Sequence, residues 1–233
     1  VIDQEDRIGD NWRNRYHHLS LHNQTHVNHL PYMPFPDNWP KYIPKDKLAG
    51  WFESYTESME LNFWTKTEFK GATYDNNNKT WKVLLTKNEQ QIKALYPKHI
   101  IMATGVSGIP KLVEIPSLKN FNGKIIHSSK YQSGEKSKGK KTLVIGTGNS
   151  GHDIAQDLYS NGSDVTIVQR SPTTIVEVEP SAQLPYKLYE EEIPLEDCDL
   201  ITTATPLALL KKTHQLITKQ SQILDKNLLH QLS

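Results

Sequence analysis

Apolar positions along the chain follow two periods, and the changes between them mark out its elements. Leu48, Trp51, Phe52, Tyr55, Met59 and Leu61 recur at helical spacing after Pro44. They predict a helix of about four turns with core aromatics and with Lys45 and Asp46 near its start. Two β-type runs follow between residues 62 and 85, parted by the polar stretch 75–79, which is a hairpin signal. Residues 99–105 read as a buried strand ending in small residues, and 106–118, with Pro110 and Pro116, as a linker. Residues 142–145 have the β-branched, apolar character of a buried parallel strand, and Ile154, Ala155 and Leu158 then recur at helical spacing. A turn cluster at 161–164 leads into a second β-branched run at 164–168. Towards the C-terminus Leu207, Leu210, Ile217, Leu224 and Leu228 fit a packing pair of amphipathic helices.

Between the strand at 142–145 and its helix lie Gly146, Gly148 and Gly151, in GxGxxG spacing. Gly146 permits the tight turn, Gly148 lets backbone approach a pyrophosphate, and Gly151 lets helix and strand pack closely. The pyrophosphate then rests on free N–H groups at the helix N-terminus, beside Asn149 and Ser150. The residue after the second strand selects the cofactor. A carboxylate there would hold a ribose 2′-hydroxyl, whereas this chain offers Gln169, Arg170 and Ser171. A cation favours a 2′-phosphate, hence NADP over NAD.

Composition narrows the classes. A formal net charge of +1, with both signs scattered evenly, gives no basic stripe for nucleic acid. The single cysteine, Cys198, excludes an intrachain disulfide and a CxxC pair, and fits a reducing, cytoplasmic setting. No apolar run approaches the ~20 residues of a membrane span. His17, His18, His22, His26 and His29 are dense but lack a ligand spacing, so no metal is expected.

The first residues, Val1, Ile2 and Asp3, read as the end of a strand already under way, with its own Gly-rich loop expected upstream. Asp3 then stands where a second dinucleotide site holds a ribose hydroxyl. Gly9 supplies a turn, and Trp12 with Arg13 offers an aromatic face and a guanidinium to a flat anionic cofactor. Residues 30–40 are too rich in proline for a helix interior or a central strand, and read as an ordered extended loop.

Phe121, Gly123, His127 and Tyr131 form FxGxxxHxxxY ahead of the GxGxSG of Gly146 to Gly151. The pair resembles the fingerprint of the flavin-containing monooxygenases. Tyr131 and Gln132, where Baeyer–Villiger members carry Trp and then Pro or Asp, make it more similar to the amine- and sulfur-oxidising or plant indole-pyruvate type. The segment from Gly9 to Arg13 resembles the family's flavin-contacting stretch, and Ala103, Thr104 and Gly105 its ATG turn. The animal-type Asn near the flavin falls on His22 or Asn23, so no catalytic side chain is assigned. The resemblance implies an α/β fold with two Rossmann-like domains and a β-hairpin or meander insertion. Residues 1–108 would form an incomplete FAD-binding part, and 109–233 a near-complete NADP-binding part. It also implies FAD and NADP as cofactors, dioxygen and a small molecule as substrates, and oxygen transfer through a flavin hydroperoxide to a soft N or S nucleophile or a carbonyl. The other readings are a non-catalytic NADP-binding remnant and a flavin disulfide reductase, the last disfavoured by the lone cysteine.

Overall fold

The computed structural model describes residues 1–88, 91–105 and 108–232. They fall into two units: Val1–Leu19 with Pro44–Thr142 and Asn149–Thr166, and Ser20–Ile43 with Leu143–Gly148 and Ile167–Ser233. The fold class is α/β, with helices and two small sheets.

In the first unit a short helix, α1 (Asp10–Arg13), packs on α2 (Lys45–Ser58), the predicted four-turn helix. Leu48, Ala49 and Trp51 form its buried face, and Trp51 stacks on Tyr55 at 5.1 Å. Gly9, at φ 83°, lies so close to α2 that a Cβ there would sit 2.7 Å from the Ala49 carbonyl oxygen. Ile2 bridges Trp64 in parallel, with Asp3 N donating to Trp64 O and Thr67 N to Asp3 O. The expected hairpin is present as β1 (Thr67–Asp75) and β2 (Thr80–Lys87), and β3 (Gln91–Leu95) extends it to a three-stranded antiparallel meander. The Asp75 carboxylate closes the turn by accepting from the backbone N–H groups of Asn77 and Asn78, as its residue type favours.

The strand, helix and strand at the glycine turn are β4 (Lys141–Ile145), α3 (Asn149–Ser160) and β5 (Asp164–Val168). Asp164 N donates to Lys140 O at one end and Gly146 N to Val168 O at the other, so the two strands run parallel. Ile154, Ala155 and Leu158 are the buried face of α3. Two expectations of burial are corrected. Leu143 and Ile145 of β4 are 59% and 54% exposed, because a parallel sheet buries its strands only when neighbours flank them, and this sheet has two strands among the described residues. Residues 99–105 form no strand, and Ile101 is 88% exposed, since no described segment pairs with them. The linker expected at 106–118 begins on Val106 and Ser107, which lie outside the described residues. Its remainder is irregular up to a short 3₁₀ turn, Pro116–Asn120.

In the second unit the Pro-rich stretch is an irregular loop, as expected. Its stem is held by Leu21 N to Ile43 O and Thr25 N to Lys41 O, and Phe35 stacks on Trp39 at 5.1 Å. Beyond it come a 3₁₀ segment, Ser181–Glu190, and helices α4 (Leu195–Ala204), α5 (Leu207–Leu224) and α6 (Lys226–Leu232). The helical region is as expected, but its apolar pattern is only partly packed: Leu207, Leu210 and Leu224 are exposed, and Ile217 and Leu228 half-buried. The buried contacts are polar instead, with Asp225 accepting from Ser181 Oγ at 2.6 Å and from Glu177 N at 3.1 Å. A directional hydrogen bond to a carboxylate holds this surface where apolar spacing predicted a greasy one. No helix among the described residues is long and apolar enough to cross a membrane.

Candidate cofactor-binding site

The glycine turn has the geometry that a bound pyrophosphate requires. Gly146 leaves β4 at φ 112°, a conformation that side chains with a Cβ rarely adopt. A Cβ placed on Gly146 or Gly148 meets nothing within 4 Å, so the turn faces open space rather than packed chain. Asn149, Ser150 and Gly151 open α3, and the first N–H groups of a helix have no acceptor within it. These donors and the positive end of the helix dipole suit an anion. After β5, Arg170 is exposed and enters no ion pair among the described residues. Thr173 Oγ1 donates to Thr147 Oγ1 at 3.2 Å, which ties the stretch after β5 to the turn. The residues present therefore fit a dinucleotide that carries a 2′-phosphate.

The residues assigned to a flavin from sequence are held by separate local networks. The Asp3 carboxylate accepts from Glu5 N at 3.0 Å. Gly9 is required by its contact with Ala49. Arg13 donates to Ile8 O, Asp10 Oδ1 and Glu53 Oε2 at 2.6, 3.0 and 2.6 Å, so its charge is already balanced by two carboxylates that fix α1 on α2. Trp12 is half-buried. The His22 carbonyl accepts from Gln183 Nε2 at 2.8 Å. Ala103, Thr104 and Gly105 are exposed, Gly105 at φ 69°. His127 caps the 3₁₀ turn Ser128–Lys130 through Nδ1, which accepts from Ser129 N.

Sequence reasoning missed a hydrogen-bonded cluster on α3. Tyr16 Oη donates to Asp153 Oδ2 and Tyr131 Oη to Asp157 Oδ2, each at 2.5 Å. Both phenols have pKa values pushed well above the ordinary 10. Burial is the main cause, followed by the hydrogen bond to, and the charge of, the neighbouring carboxylate. The signal for the cluster was a pair of carboxylates at i and i+4 beside the apolar face of α3. It also missed, in the second unit, an open cleft of about 340 Å³ bordered by His26, His29, Phe35, Trp39 and Leu195. There His29 Nε2 meets Asp199, which also accepts from Tyr189.

β4, α3 and β5 form the parallel strand–helix–strand unit of an α/β protein, with an open glycine turn and with Arg170 in no ion pair among the described residues. The family model for flavin-binding monooxygenase-like proteins matches residues 12–194. A probable indole-3-pyruvate monooxygenase, YUCCA1 of Arabidopsis thaliana, is 33% identical over 178 residues, covering 76% of this chain and 42% of its own. In fold, the chain is similar to a flavin-containing monooxygenase from Stenotrophomonas maltophilia, with TM-score 0.68, 19% identity, and coverage of 89% of this chain and 61% of that one. It is also similar to OTEMO in complex with FAD and NADP, with TM-score 0.60, 21% identity, and coverage of 74% and 34%. The chain belongs to the flavin-binding monooxygenase-like family. It spans about two fifths of the length of the curated relatives it matches.

Proposed function

We propose that this chain carries the NADP-binding unit, and part of the flavin-binding unit, of an FAD-dependent monooxygenase that uses NADPH. The reaction inserts one oxygen atom of dioxygen into a small soft nucleophile, N or S, or into a carbonyl substrate. The relative named for indole-3-pyruvate supports the carbonyl arm. One observation carries the reading: the open glycine turn at the N-terminus of α3, followed after β5 by an exposed Arg170 that enters no ion pair among the described residues.

Bound FAD supplies the oxygen chemistry and NADPH the reducing equivalents. The chain's own residues supply position. The amides from Gly148 to Gly151 hold the pyrophosphate, and Arg170 grips the 2′-phosphate with a charge-assisted hydrogen bond. Asp3, Trp12 and the exposed Thr104 lie on the flavin side. Arg13 serves there by fixing α1 through Asp10 and Glu53. Residues 1–108 are the flavin part and 109–233 the NADP part. Titration of the chain with NADPH, followed by calorimetry, tests the reading: saturable binding at one site supports it, and no binding refutes it.

A further inference from the structure

We propose that Tyr16 and Tyr131 are positioning residues for the cofactor site, holding the first turn of α3 in place through Asp153 and Asp157. Four facts converge on one helix face. Asp153 and Asp157 are one turn apart, each accepting a phenolic hydrogen bond at 2.5 Å from a tyrosine that is itself 6% or 7% exposed. The two rings meet edge to face with centroids 6.4 Å apart, and His17 N donates to Gln132 O at 2.9 Å, so the tyrosine-bearing strands of chain are tied to each other. Asp157 is filled further, accepting from Gly134 N at 2.7 Å and from Asn161 Nδ2 at 3.0 Å. Gly134 is a close approach to the helix: a Cβ there would lie 2.8 Å from Asp157 O.

Apolar packing by Ile154, Ala155 and Leu158 would let α3 slide or rotate by small amounts at little cost. Hydrogen bonds to these half-buried carboxylates are directional, and they fix both the rotation and the axial position of the helix. The amides of Asn149, Ser150 and Gly151 inherit that placement. Tyr16 acts closer to them, through Asp153, and Tyr131 acts one turn further along, through Asp157.

The proposal rests on the N-terminus of α3 being the pyrophosphate seat, and its test separates the two. Tyr16→Phe, Tyr131→Phe and Asp153→Asn are made in the 233-residue chain. Amide hydrogen exchange across 149–153 is measured with the dissociation constants for NADP and NAD and the thermal midpoint. Tyr16→Phe should speed exchange in the first turn and weaken both dinucleotides equally, by about three- to tenfold, the scale of one lost hydrogen bond. Tyr131→Phe should do so less. Asp153→Asn keeps an acceptor oxygen for Tyr16 and should recover most of the affinity; it decides the question if Tyr16→Phe does not fold. A lower midpoint with unchanged exchange and affinities, or no change in any of them, overturns the proposal. A wild-type chain that binds neither dinucleotide refutes the function proposed above, and the exchange result then decides the positioning claim by itself.

Discussion

Gly9→Ala tests how tightly the N-terminal segment is fitted to α2. The added Cβ would lie 2.7 Å from Ala49 O, 2.8 Å from Ala49 Cα and 3.0 Å from Ala49 Cβ, where ordinary contact begins near 3.4 Å. The obstacle is helix backbone, which cannot swing aside as a flexible side chain can. α1 must therefore retreat by about 0.7 Å, taking with it the Arg13 bonds to Asp10 and Glu53. The φ of 83° adds a second cost, about 1–2 kcal/mol for a residue with a Cβ in the left-handed region. With about 1–3 kcal/mol for overpacking, the total is about 2–5 kcal/mol. At about 2–4 °C per kcal/mol for a chain of this size, the thermal midpoint falls by about 4–20 °C. Near-UV circular dichroism is the assay, since Trp51 and Tyr55 stack on α2 itself. Gly50→Ala is the control: its Cβ meets nothing within 4 Å and it sits inside the helix, so the change should stabilise by about 0.5–1 kcal/mol. A Gly9→Ala midpoint within a degree of wild type would refute the packing argument.

Gly148→Ala should leave the thermal midpoint nearly unchanged, because its Cβ meets open space, yet weaken NADPH binding at least tenfold by filling the pyrophosphate approach; calorimetry of the two proteins checks both halves. Ser181→Ala removes a donor from Asp225, which is 1% exposed, and should destabilise by about 1–3 kcal/mol in denaturant unfolding. At high pH the raised pKa values of Tyr16 and Tyr131 set the sign: the folded state favours the protonated phenols. Their contribution is complete below the unfolded pKa near 10 and is lost as pH rises towards the folded values. Absorbance of phenolate should show at least two of the ten tyrosines titrating only as the chain unfolds, and a single transition for all ten near pH 10 would contradict the buried pairs.

The parts of this molecule legible in its sequence are those set by neighbours along the chain. The β4–α3–β5 unit is written in glycine spacing and two short periodicities, α2 in the apolar stripe from Leu48 to Met59, and the hairpin in the polar turn after Asp75. Burial was not legible, because it belongs to whatever packs alongside. Residues 142–145 and 99–105 have the composition of buried strands, but no strand among the described residues flanks β4 on its far side or pairs with 99–105. The polar contacts were hidden by distance: Tyr16 and Asp153 are 137 residues apart, and Ser181 and Asp225 are 44 apart. Neither member of either pair stands out alone. Arg13 stood out in the sequence as a cation beside Trp12, whereas its partners Asp10 and Glu53, the second 40 residues away, did not.

Whether Arg170 discriminates between NADPH and NADH is the most direct test that the chain is built around an NADP site. The measurement is the dissociation constant of each cofactor for the wild-type chain and for Arg170→Ala. A charge-assisted hydrogen bond to phosphate contributes about 1.5–3 kcal/mol. The wild type should therefore bind NADPH about ten- to hundredfold more tightly than NADH, and Arg170→Ala should erase that difference while leaving NADH unchanged. Equal affinities in the wild type, or equal losses for both cofactors in the variant, would contradict the account.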